Sequence, residues 1–129
     1  MRQGRRWAVV ALMVAAIATV AHAEDWQALG ERNFDYRSPQ GTVVTSAAEV
    51  VSHVRLQVKQ NALEIGEVTL YFDDGASQIA KLDAYVPAGR QTPVIDVEGG
   101  PKRVAKVDFT YRSGDPDKHI ALVRVLGSK

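Results

Sequence analysis

The chain has 129 residues, with 16 Lys and Arg against 15 Asp and Glu, and no cysteine. Without thiols it has no cysteine nucleophile, thiolate metal site, disulfide staple or thiol redox chemistry. Setting aside Arg2, Arg5 and Arg6 of the N-terminal segment leaves 13 bases against 15 acids, a formal charge of −2. No remaining cluster of Lys and Arg suits phosphate neutralisation, which argues against nucleic acid and anionic lipid as partners.

Met1 to Arg6 carries three arginines, and Trp7 to Val20 is a run of 14 residues, apolar but for Thr19. Ala21-His22-Ala23 then sets small residues either side of a larger one, just before Glu24-Asp25. A basic head, a short apolar segment and a small-x-small site predict a signal peptide helix over residues 1–23, cleaved after Ala23. A membrane-spanning helix needs roughly 20 apolar residues, and acidic rather than basic residues follow this run. After Arg5-Arg6 comes Trp7-Ala8-Val9-Val10, which lacks the flavour of a twin-arginine signal, so the general secretory route is expected. The expected location is the periplasm or the exterior of a bacterium. Removing 23 of 129 residues leaves 106, residues 24–129, a length that suits a single domain with no membrane span.

The rest of the chain shows no internal repeat and no heptad. What recurs is alternation. Val54, Leu56 and Val58 alternate with His53, Arg55, Gln57 and Lys59. Val68, Leu70 and Phe72 alternate with Glu67, Thr69 and Tyr71, and Val107, Phe109 and Tyr111 with Lys106, Asp108 and Thr110. A period of two puts apolar residues on one face of a strand and polar ones on the other.

Turn signals separate these runs. Gln60-Asn61 leads into the strand through Leu63 and Ile65, and Asp73-Asp74-Gly75 follows Phe72 as a hairpin signal. Pro87-Ala88-Gly89 divides Ile79–Val86 from Pro93–Val97. Gly99-Gly100-Pro101 precedes Val104–Arg112, and Ser113-Gly114-Asp115-Pro116 precedes Ile120–Leu126. Isolated Gly66 predicts a β-bulge. Thr45 to Ser52 fits either a short helix or an extended segment. Roughly seven to nine short strands at this spacing predict an all-β fold, an antiparallel sandwich of jelly-roll-like type.

The order of elements resembles the YaaI-like family of small exported bacterial proteins. The resemblance rests on Leu29-Gly30, on the strands Val54–Val58 and Val68–Phe72, and on Gly89 ahead of Val94–Val97. Lys102–Phe109 and Ala121–Gly127 complete it. It implies export and a β-sandwich, and it brings no catalytic residues with it.

No catalytic, cofactor-binding or metal-binding residue is expected from the sequence. His53 and His119 have no second histidine or carboxylate at metal-ligand spacing. Asp73-Asp74 and Asp115-Pro116-Asp117 read as turn-capping pairs rather than calcium loops. Gly75-Ala76-Ser77 is not a nucleophile elbow, and no glycine pattern forms a phosphate loop. Binding leaves more room. Trp26, Tyr36, Tyr71 and Tyr85 are aromatic candidates, while Arg90, Lys102 and Arg103 lie on loops around the Pro93–Val97 strand.

The expected protein is a monomeric, non-catalytic binding or accessory module of the cell envelope, partnered by an envelope protein or a saccharide and using no cofactor. The alternatives are a structural or stress-protective envelope protein without a small ligand, and a cell-wall saccharide hydrolase built on carboxylates brought together by folding. A binding module predicts a concave patch holding at least two of the four aromatics.

Overall fold

The computed structural model describes residues 26–35, 40–46, 49–114 and 120–129. The predicted signal peptide, Tyr36, His119 and Asp115-Pro116-Asp117 lie outside them. Eight strands follow in order: β1 Gln27–Asp35, β2 Gln40–Val44, β3 His53–Lys59, β4 Leu63–Phe72, β5 Ser77–Val86, β6 Ile95–Asp96, β7 Val104–Ser113 and β8 Ile120–Ser128. They form two antiparallel sheets, β1-β8-β3-β6 and β2-β7-β4-β5. First pairs with last, second with seventh, third with sixth and fourth with fifth. One long hairpin has thus been rolled into two layers, the winding of a jelly roll.

The alternating residues meet between the layers. Val54, Leu56 and Val58 of β3 and Val123 and Val125 of β8 face Val68 and Leu70 of β4 and Val107 of β7, all fully buried. The alternation is broken where the strands bulge. In β4 the inward residues are Leu63 and Ile65, then Val68, Leu70 and Phe72. The extra residue falls at Gly66-Glu67, where the register against β5 and β7 shifts. The bulge predicted at Gly66 is therefore present. β7 makes the same correction between Val104 and Val107, opposite a register shift at Tyr71/Phe72.

Two segments refine the sequence reading. The strand expected over Pro93–Val97 pairs only at Ile95–Asp96, because Pro93 has no N–H. The neighbouring amides of Thr92 and Val97 donate instead to the carbonyls of Leu56 and Ser52. Within Thr45–Ser52 the described residues form no helix, and buried Val51 exchanges backbone hydrogen bonds with Lys102.

Tyr111 anchors the sheet end at which β1 and β7 approach. Its hydroxyl donates to the Asp35 carbonyl at 2.7 Å, and its ring packs edge-on to Phe34. Burial, with a smaller contribution from the Asp35 charge, raises its pKa above the ordinary value of 10.0. The folded state therefore holds this proton more tightly than the unfolded chain does. The stabilisation is complete below the unfolded value, about pH 10, and disappears as pH rises through the folded one. Melting temperature should fall on alkaline titration from about pH 10 upward. Tyr111→Phe should flatten that limb while losing about 1 kcal/mol at neutral pH through the missing hydrogen bond. An unchanged alkaline limb in the variant would refute the assignment.

Candidate functional site

The outward face of the β2-β7-β4-β5 sheet carries polar and aromatic side chains in ordered rows. Its rows follow from the pairing. Tyr85, Glu64 and Arg112 lie side by side across β5, β4 and β7, with Glu64 and Arg112 ion-paired. A second row holds Ile79, Thr69, Asp108 and Thr42, where the Thr42 hydroxyl donates to Asp108 Oδ1 at 2.6 Å. A third brings Ser77 and Tyr71 beside Lys106 and Val44. The Lys106 ammonium lies 4.6 Å from the Tyr71 ring centroid.

Between the first and second rows the bulge reshapes the sheet. Gly66 sits there because a Cβ would stand 2.7 Å from Thr110 Oγ1. That hydroxyl accepts a hydrogen bond from the Glu67 amide at 2.9 Å, satisfying a donor that the bulge removes from the ladder. Opposite it, Asp83 takes a left-handed φ of 45°, which aspartate tolerates better than most residues. Two stacked irregularities turn an even sheet surface into a depression.

The depression is a groove of about 580 Å³ lined by Gln40, Glu64, Gly66, Asp83, Tyr85 and Arg112, among others. A second hollow of about 230 Å³, reaching Thr42, Glu67, Thr69, Tyr71 and Asp108, shares Gln40 and Thr110 with the first. Adjoining through these shared residues, the two hollows together are termed the channel. Of the aromatics singled out in the sequence, Tyr85 lines the first hollow and Tyr71 the second, at opposite ends of the pair. Tyr85 is 58% exposed, and its ring leans against Gly114, where a Cβ would come within 2.9 Å of it.

The other candidates are dispersed. Trp26 lies against the opposite sheet, with the Arg55 guanidinium 4.1 Å from its ring centroid. Lys102 is engaged with Asp74 at 3.5 Å and with the Phe72 ring, while Arg90 and Arg103 are exposed. Asp74 takes the predicted turn role. Its Oδ1 accepts from the Ala76 amide, and that hydrogen bond, aided by the Lys102 charge, holds its carboxyl below the usual range.

Sequence spacing missed the partner of His53. Folding brings Asp96, 43 positions away, to 2.9 Å from His53 Nδ1, and Ser128 pairs with His53 from the other side. The row has the order of a hydrolytic triad, but Asp96 is 83% exposed and the Ser128 hydroxyl turns to the Lys129 carbonyl. Neither groove is lined by any of the three. Among the described residues no group of three or more His, Asp or Glu side chains is placed to hold a metal ion.

Fold and groove together define a β-sandwich with an open channel across one sheet. The chain belongs to the family described as Domain of unknown function (DUF2541), whose model matches residues 7–127. No curated protein matches it. Among solved structures it is similar to AlgX of Pseudomonas aeruginosa, at 13% identity and a TM-score of 0.54, over 80% of this chain and 27% of that one. A putative alpha-L-fucosidase from Bacteroides thetaiotaomicron matches at 13% identity and a TM-score of 0.49, over 80% of this chain and 23% of that one. The tripod from the baseplate of bacteriophage Tuc2009 matches at 13% identity and a TM-score of 0.36, over 88% of this chain and 98% of that one. The chain thus spans about a quarter of the first two. These likenesses concern the fold alone.

Proposed function

We propose that this protein is an exported, non-catalytic binding module of the bacterial cell envelope, and that the channel across the β2-β7-β4-β5 sheet is its binding surface. One observation carries the reading: Tyr85 and Tyr71 line two adjoining hollows that share Gln40 and Thr110, among polar side chains such as Glu64, Arg112, Thr69 and Asp108. Flat apolar rings with a few fixed polar groups are what a ligand site needs for contact area and orientation. The address rests on the order of residues 1–25, basic, apolar, small and then acidic, with cleavage after Ala23 into a monomer that works in the periplasm or outside the cell. The resemblance to YaaI-like exported proteins supports the same address.

A hydrolase is the second reading, because Glu64 and Asp83 line one cleft. A glycosidase needs a carboxyl shielded from water to hold its proton until transfer. Here Glu64 is ion-paired with Arg112 and 45% exposed, and Asp83 is exposed, which favours binding without cleavage.

The test is co-sedimentation of the purified protein with insoluble envelope polysaccharide. The wild type should pellet with it, and Tyr71→Ala/Tyr85→Ala should stay in the supernatant with an unchanged circular dichroism spectrum. Equal pelleting by both would remove the channel from the binding surface, and no pelleting by either would favour a structural or protective role. Release of soluble sugar that Glu64→Gln abolishes would establish the hydrolase instead.

A further inference from the structure

We infer that the channel takes an internal stretch of a linear glycan that carries no acid groups, laid along β4 so that both tyrosines are covered at once. This rests on the channel being the binding surface.

Length comes first. Tyr85 pairs with Glu64 at one end of β4, and Tyr71 stands at the other. Seven residue steps of strand separate the two rows, roughly 20 Å. That is several times the width of a single pyranose ring. A monosaccharide or a chain end fills the Tyr85 hollow alone, whereas a chain of several sugars reaches Tyr71.

Charge decides the class. The two hollows are lined by Glu64, Glu67, Asp83 and Asp108, while Arg112, ion-paired with Glu64, is the cationic lining residue. Lys106 backs the Tyr71 ring from outside the lining. A uronate or phosphate polymer entering such a channel meets like charges at close range, a specificity element in itself. Hydroxyl groups suit it, since each carboxylate accepts several of their hydrogen bonds, and Gln40, Thr69, Thr110 and Arg112 add side-chain donors.

A peptide fits less well. β4 and β7 are paired on both sides, so their main-chain groups are already used within the sheet. Strand addition therefore needs one of the two edges: β2, which is only five residues long, or β5, which is broken by the left-handed Asp83 and its bulge.

The experiment uses the purified chain on an array of linear glycans spanning neutral, amino and acidic backbones, with a random peptide library as a further arm. Titrations of graded oligomers of the strongest hit follow, with amide chemical-shift mapping to locate each binder. We expect acid-free glycans to bind at the channel residues. Affinity should rise about tenfold from disaccharide to tetrasaccharide and then level off. Uronate oligomers of equal length should bind at least about tenfold more weakly. Tyr71→Ala should erase the gain with length while sparing disaccharide binding, and Tyr71→Phe should restore it. Preference for an acidic glycan or a peptide at the same residues, or affinity independent of length, would overturn the inference while leaving the channel as the binding surface. If no arm perturbs channel residues, both fall together.

Discussion

Gly41→Ala should cost about 3 kcal/mol of folding stability, a large share of the roughly 5–15 kcal/mol of a domain this size. Gly41 lies in β2, buried, with its backbone against the Phe34 ring. A Cβ there would stand 2.7 Å from Phe34 Cδ1 and closer still to Cε1. A flexible side chain would swing aside at little cost. Phe34 is held edge-on by Phe109, with centroids 5.0 Å apart, and by Tyr111 at 5.8 Å, so the ring has nowhere to go. The strands must separate at the place where β1 crosses onto β2. Denaturant titration measures the loss, and combining Gly41→Ala with Phe34→Leu should recover part of it, since residues in contact do not add independently. A loss below about 1 kcal/mol would mean that the ring moves freely.

Leu56→Ala should cost about 4 kcal/mol, toward the upper end for a deleted leucine. The cost of such a cavity depends on how far its walls collapse. Leu56 is fully buried in the middle of β3, flanked on its own face by Val54 and Val58, with Val125 as its cross-strand partner. These β-branched side chains have few rotamers with which to fill the space. The backbone is pinned as well, because the Leu56 amide donates to buried Thr92 Oγ1 at 3.0 Å. Leu56→Met, which keeps the volume, should lose less than about 1.5 kcal/mol. If the two variants melted alike, the core would be softer than this packing implies.

The fold was legible because alternation and its interruptions were both in the sequence. Leu63 and Ile65 sit at odd positions while Val68, Leu70 and Phe72 sit at even ones, and only a residue inserted at Gly66-Glu67 keeps all five on one face. The outward parity of Tyr71 and Tyr85 was readable for the same reason. The channel itself was not. Asp83, Gln40 and Thr110 reach Glu64 through registers that depend on two bulges and on a crossing between distant strands. Their polar character marked them only as outward-facing. His53 and Asp96 escaped notice for a related reason, since ligand-spacing rules scan neighbours in sequence and β6 arrives beside β3 from across a long loop.

In its sheet β8 lies between β1 and β3, so neither can be hydrogen-bonded on that flank until residues 120–128 have arrived. Of the eight strands, this keystone is the last to be synthesised. Until then β1 and β3 lack their shared neighbour, although β4 already has β5 and β7 to pair with. Contacts between such remote parts of a sequence are slow to form. Losing β8 would therefore unseat β1 and β3 together rather than fray one edge of the sheet.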